Sequence, residues 1–136
     1  MSNHLESLDQ AIAVLKDQSL PELTRNEAIQ YLEEDGSQEA IDALISVLSD
    51  DDFGVRWAAA DALAKLGAKA APSVLRAILS PDSDDRVRET AIHIFKDNGD
   101  ITIRSEAQPL VKALHDTSTS IDDLTEAAKL LNKLTS

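Results

Sequence analysis

The sequence predicts an all-α fold, a right-handed solenoid of about four helix–turn–helix repeats, and three observations lead to that prediction. A segment with Arg, Ala and a large apolar residue at fixed offsets recurs from Arg25, Arg56 and Arg88. Apolar residues within each unit recur at i, i+3, i+4 and i+7, the spacing of one helix face. Although 43% of the 136 residues are apolar, only four are aromatic, so Ala and Leu must form the core of closely packed helices. Such two-helix units bury their apolar faces only by stacking on one another.

Each predicted unit contains a first helix that ends in Leu, a turn that contains Asp, and a second helix that begins near the repeat Arg. In the second unit, the Asp50–Asp52 turn supplies carboxylates that can cap the next helix, and Gly67 supplies a left-handed end. The fourth unit keeps the apolar spacing but lacks the Arg and the closing Gly, as terminal repeats often do. The whole chain, 1–136, is predicted to be one domain of four units at approximately 5–36, 38–67, 70–99 and 103–136.

The second unit contains an apolar first helix, an Asp turn, Val55-Arg56, two small residues, Ala62-Leu63 and a closing Gly67. In this order of residues it resembles a HEAT repeat of the phycobilisome-lyase type. The resemblance implies an armadillo-like superhelix whose second helices line a concave surface. It also implies a ladder in which turn Asp and helix Arg residues bond between neighbouring units. The residues at the matching positions are Asp17, Asp50, Asp82, Arg25, Arg56 and Arg88.

A candidate binding face follows from helix geometry. Residues one, five and nine after each repeat Arg lie on the flank away from the Ala-Leu stripe, so we expect them on the concave surface. Trp57, the single tryptophan, falls in this set, where a large aromatic either anchors an interface or covers a groove between units. Fourth-unit residues are placed by the apolar alignment. The predicted partner-binding residues are Gln30, Trp57, Asp61, Lys65, Glu89, His93 and Lys129.

The net charge disfavours two classes of partner. The chain carries 13 basic and 25 acidic residues, a formal charge of −12, whereas binders of nucleic acid and anionic membranes need a positive footprint. Residues 1–68 hold 4 basic and 14 acidic residues, which suits a basic protein partner. No apolar run approaches the roughly 20 residues that span a bilayer. With no signal peptide visible, we expect a cytoplasmic protein.

The sequence contains no pattern that indicates catalysis. It has no Cys, and its three His residues lack metal-binding spacing. Its four Gly residues are isolated, so they cannot form a phosphate-binding loop. We therefore predict no catalytic residue, no cofactor and no metal site, and expect that the chain is not an enzyme.

Three functions remain open. The leading hypothesis is a non-catalytic interaction or scaffold module that binds a protein or peptide, with a basic one favoured by charge. The resemblance supplies an alternative, a bilin lyase-like or tetrapyrrole-handling chaperone subunit. A third possibility is a self-associating piece of a larger repeat assembly, because both terminal helices carry apolar residues. We accordingly expect a monomer or weak end-to-end self-association.

Overall fold

The computed structural model describes residues 5–116 and 120–136, and these residues form nine α-helices and one short 3-10 helix, Gly67–Lys69. Residues 117–119 of the predicted fourth unit lie outside the described residues. The prediction of an all-α fold is confirmed. The helices are α1 (Leu8–Lys16), α2 (Glu22–Asp35), α3 (Gln38–Ser46), α4 (Phe53–Leu66), α5 (Ala71–Leu79), α6 (Asp85–Lys96), α7 (Ile101–Glu106), α8 (Gln108–His115) and α9 (Ser120–Thr135).

Among the described residues, side-chain oxygens cap the beginnings of five helices. The Asp52 carboxylate accepts a hydrogen bond from the Val55 N–H at the start of α4, and Asp84 does the same for Val87 in α6. These caps occupy N–H groups that a helix leaves without an internal partner. The acidic turns therefore cap helices, as the sequence predicted. The other three caps are Ser7, Ser37 and Asp100.

Two glycines end the second helices of the first two units with positive φ angles. Gly36 has φ of 65° and Gly67 has φ of 63°. A side chain at either position would strain the backbone, because L residues rarely adopt such angles. The helices therefore end where the sequence placed these glycines, and the chain can turn into the next unit.

The helices pair and then stack in two rows. α1 pairs with α2, α3 with α4, and α5 with α6. Across units, α1 packs against α3 and α3 against α5, which we call the first-helix row. α2 packs against α4 and α4 against α6, which we call the second-helix row.

The last pair, α8 and α9, stacks in the opposite order. α8 packs against α6, so the second-helix row continues into α8, whereas α9 packs against α5 and extends the first-helix row. The short α7 lies between α6 and α8 and contacts both. This arrangement corrects the prediction that α9 continues the second-helix row. Lys129, which lies on α9, is therefore not on the predicted binding face.

Small residues lie where neighbouring helices meet. Ala28, Ala59 and Ala91, at matching positions of α2, α4 and α6, are each completely buried. An Ala at these positions lets two helix backbones approach closely, and the surrounding core consists mainly of Ala, Leu, Ile and Val. Within the described part of the chain, no helix is long and apolar enough to cross a membrane.

Candidate functional site

Two aromatic side chains, Phe53 and Trp57, lie together on the second-helix row, and we call this pair the ledge. Phe53 and Trp57 are one turn apart on α4, and their ring centroids lie 6.0 Å from each other. Trp57 also meets His93 of α6 edge-on, with a centroid separation of 5.8 Å. Phe53 is 67% exposed, and the Arg56 guanidinium lies 5.5 Å from its ring centroid. The ledge thus joins two units and presents an apolar ring to solvent.

Carboxylates hold the His93 ring beside this ledge. Its Nδ1 lies 2.9 Å from an Asp97 oxygen, and its Nε2 lies 3.6 Å from an Asp61 oxygen. Asp61 also pairs with Lys65 at 3.1 Å, one turn further along α4. Each ring nitrogen thus faces a carboxylate oxygen. We call Phe53, Trp57, Asp61, Lys65, His93 and Asp97 the Trp57 cluster.

The remaining predicted binding residues lie apart from this cluster. Gln30 is exposed on α2, the neighbouring helix of the same row. Glu89 is one turn before His93 on α6 and lines a shallow groove of about 360 Å³ that reaches Leu114 of α8. Lys129 lies 3.6 Å from Glu126 within α9 and belongs to the other row. The structure therefore brings His93 of α6 together with the predicted residues of α4, but not Glu89, Gln30 or Lys129.

Sequence reasoning missed Phe53. The predicted binding residues were counted from the first residue after each repeat Arg, so every residue before that Arg was left out. The structure begins α4 at Phe53, and this residue therefore lies one helical turn before Trp57 on the same face. The i, i+4 spacing of two aromatics on one helix was the available signal.

A buried arginine links the first two units. The Arg25 side chain is only 2% exposed, and its guanidinium donates to both Asp50 carboxylate oxygens, at 3.0 and 2.6 Å. Its Nε donates to the Leu15 carbonyl oxygen at 2.9 Å. The guanidinium thus contacts both neighbouring helix ends, with Asp50 supplied by the second unit. A two-point charge-assisted pair of this kind fixes the register of one unit on the next.

The Arg25 hydrogen bonds hold the pKa of the Asp50 carboxyl below its ordinary value of 3.8. A carboxyl with a lowered folded-state pKa stabilises the fold above its unfolded-state pKa, and this stability is lost as pH falls through the folded-state pKa. We therefore expect the stability difference between wild type and Asp50→Asn to shrink below about pH 4. Urea unfolding of both proteins from neutral to strongly acidic pH measures this difference.

Comparing wild type with Asp50→Asn separates the contribution of Asp50 from that of Glu22, whose pKa is shifted in the opposite direction. Hydrogen bonding with Asp52 raises the pKa of Glu22, so its protonation at low pH favours the folded chain. That contribution is common to wild type and Asp50→Asn, and it cancels in the difference. A stability difference that stays constant across the whole acidic range would contradict the assignment to Asp50.

The other predicted ladder residues bond differently from one unit to the next. Arg56 donates to the Asp50 carbonyl oxygen of its own turn at 2.7 Å. Arg88 pairs with Asp123 of α9 at 2.5 Å. Asp17 is exposed and accepts hydrogen bonds from Ser19.

The prediction of a uniform ladder is therefore corrected. Arg25 pairs with the turn Asp of the following unit, whereas Arg56 bonds to a backbone oxygen and Arg88 pairs with a residue inside a helix. Within the described part of the chain, Asp82 forms no salt bridge with Arg56. The equivalent sequence positions thus hold three different kinds of contact.

One arginine outside the predicted set also reaches the second turn. Arg86 of α6 donates to the carbonyl oxygen of Ser49 at 3.0 Å and to the Asp51 carboxylate at 3.1 Å. The turn 49–51 therefore receives arginine hydrogen bonds from α2, α4 and α6. This convergence links three helices of the second-helix row through one turn. In the described residues, no group of three or more His, Asp or Glu side chains could hold a metal ion.

The stacked two-helix units define the chain as a helical repeat protein of the α-solenoid class. The family model for HEAT repeats matches residues 8–96, more than half of the sequence, and the chain belongs to the HEAT-repeat family. HEAT repeats generally mediate protein–protein interaction or scaffolding, and the family is generally non-enzymatic. The match ends with α6, so the reversed α8–α9 pair lies outside it. A comparison with curated proteins finds no match.

Proposed function

We propose that the chain binds a protein or peptide on its second-helix row, with the Trp57 cluster as the anchor. The observation that supports this most is the exposed Phe53 ring. It packs against Trp57, which in turn packs against His93. Aromatic side chains held in this way lose little entropy on binding, and they dominate the binding energy of many interfaces. By contrast, Phe95 of the same chain is completely buried in the core.

The charges around the ledge favour a basic partner. The Asp61 and Asp97 side chains are each more than half exposed beside the aromatic rings. A Lys or Arg of a partner can pair with these carboxylates while its aliphatic stem or its cation covers a ring. The acidity of residues 1–68 extends this field and would speed the encounter with a basic protein.

The two alternative functions lead to different expectations. End-to-end stacking through α8 and α9 would cover a groove of about 360 Å³ that is lined mainly by charged side chains, and removing these charges from water opposes association. We expect a constant monomer mass in light scattering across a concentration series. A bilin-handling role would change the absorption spectrum of a bilin on mixing, and we expect no change.

The proposal predicts that Trp57→Ala combined with Asp61→Lys abolishes capture of the partner from a lysate of the source cells. Loss of one aromatic anchor at an interface centre commonly costs about 2 kcal/mol or more, which is roughly a 30-fold weaker affinity. The charge reversal adds repulsion toward a basic segment. The measurement is the set of proteins retained by tagged wild type and by the double variant.

Glu39→Lys is the matched control, because Glu39 is an exposed acid on α3 of the other row. Both variants must keep the helical circular dichroism of wild type. Trp57 is the single tryptophan, so its fluorescence also reports directly on this face when a Lys-rich peptide is added. Retention of the same partners by Trp57→Ala/Asp61→Lys would place the binding site elsewhere.

A further inference from the structure

A second cavity lies where α6 meets α7 and α8, whereas the Trp57 cluster lies where α6 meets α4. His93 of α6 faces α4, whereas Lys96 of α6 faces α7 and α8 across an open cavity of about 520 Å³. The apolar side chains of Ile101 and Val111 form part of its wall, and Ile101 is 71% exposed. The full lining is Lys96, Ile101, Arg104, Ser105, Gln108, Val111 and Lys112.

The charge of this cavity is opposite to that of the chain. Three of its seven lining residues, Lys96, Arg104 and Lys112, are cationic, and none is acidic, in a chain of net charge −12. Six other cationic side chains form salt bridges with carboxylates. Among the described residues, the three cations of the cavity form no salt bridge. Arg104 is oriented by a hydrogen bond from its Nη1 to the Asn98 carbonyl oxygen, 3.1 Å away.

We propose that this cavity binds an acidic peptide segment of a partner protein, one in which carboxylates alternate with aliphatic side chains. The three cations would pair with carboxylates, and the planar Arg104 guanidinium can hold one at two points. The exposed Ile101 and the neighbouring Val111 offer apolar contact that an inorganic anion cannot use. Ser105 and Gln108 supply neutral hydrogen-bonding groups at the same surface.

This site goes beyond the proposed function, because it lies outside the Trp57 cluster and selects the opposite charge. It gives the α6–α8 end of the second-helix row a preference for acidic segments, while the α4–α6 surface prefers basic ones. A long polyanion such as nucleic acid would extend beyond the cavity over an acidic protein surface, which repels it. A short acidic segment is contained by the cavity and avoids that repulsion.

The test uses a short fluorescein-labelled peptide of alternating Glu and Leu, with the full chain and fluorescence polarisation. Wild type is expected to bind it, with an affinity that falls as salt rises because the contacts are ionic. Lys96→Gln combined with Lys112→Gln is expected to weaken binding about tenfold or more. The matched control is Lys16→Gln combined with Lys69→Gln, which removes two exposed charges elsewhere and is expected to bind as wild type does.

Two further arms make the outcome specific. Trp57→Ala is expected to bind the acidic peptide as wild type does, so the two proposed sites can succeed or fail independently of each other. Inorganic phosphate is expected not to displace the peptide at matched ionic strength. The proposal is overturned if wild type does not bind the peptide, if Lys96→Gln/Lys112→Gln binds it equally well, or if phosphate displaces it.

Discussion

Arg25→Ala is expected to lower the free energy of unfolding by about 3–5 kcal/mol, a large fraction of the stability of a single domain. The substitution leaves the Asp50 carboxylate, which is 4% exposed, without its counter-ion. It also removes the donor to the Leu15 carbonyl oxygen at the end of α1. For a chain of this size we expect the melting temperature to fall by roughly 10–20 °C. Thermal and urea unfolding followed by circular dichroism measure both quantities.

Arg86→Ala is the matched control, because it also removes an arginine that pairs with an Asp of the same turn. The Arg86–Asp51 pair is exposed, with side chains 44% and 86% accessible to solvent. Exposed pairs contribute about 0–1 kcal/mol, so the control should change stability much less than Arg25→Ala. Equal losses in the two variants would show that burial of the Arg25–Asp50 pair carries no special cost.

The fold was predictable because the repeat appears at several levels of the sequence at once. The Ala positions 28, 59 and 91 predicted close helix contacts, and all three are buried between helices. The acidic turns predicted caps, and Asp52 and Asp84 cap α4 and α6. These features depend on local spacing, which a sequence displays directly.

The hydrogen bonds of the arginines were not predictable, because they depend on turn geometry. Arg25, Arg56 and Arg88 occupy equivalent sequence positions, yet each has a different type of partner. A change of a few ångströms in a turn decides whether a long guanidinium reaches a carboxylate or a backbone oxygen. Arg86, two residues before a repeat position, gives no periodic signal at all.

The stacking order of the last helix pair could also not be predicted from the sequence. An apolar stripe on α9 fits either row, since Ala127 and Leu130 bury the same face whichever neighbour covers it. Asp123, whose side chain is 2% exposed, links α9 to Arg88 of α6. An acidic residue within an apolar stripe was the one available clue.

The reversed order has a consequence for the candidate sites. Because α8 continues the second-helix row, Lys112 joins Lys96 and Arg104 in one cavity on that side of the molecule. Had α9 taken this place, Lys129 would have extended the row of the Trp57 cluster instead. The stacking order thus places these three cations in one cavity, and it separates that basic cavity from the acidic side chains of the Trp57 cluster.

Arg88→Ala is expected to release α9 from the stack at a cost on the order of 3 kcal/mol. Arg88 Nη2 lies 2.5 Å from Asp123, whose side chain is 2% exposed, so truncation leaves a buried carboxylate without its partner. α9 is at one end of its row, where α5 and α8 are its main neighbours, so we expect local undocking rather than global unfolding. Hydrogen exchange by mass spectrometry should show faster exchange in residues 120–135 and little change in α2 and α4.

Lys133→Ala provides the matched control, because it removes another ion pair of α9 that is exposed, the one with Glu106. It should cost less than about 1 kcal/mol and leave the exchange of α9 close to that of wild type. Arg88→Met combined with Asp123→Leu should recover most of the lost protection, since a buried pair replaced by apolar side chains is commonly neutral or stabilising. An equal increase of the hydrogen-exchange rate in α2, α4 and α9 would mean that the last pair unfolds with the whole stack. Arg88 would then not hold α9 in place locally.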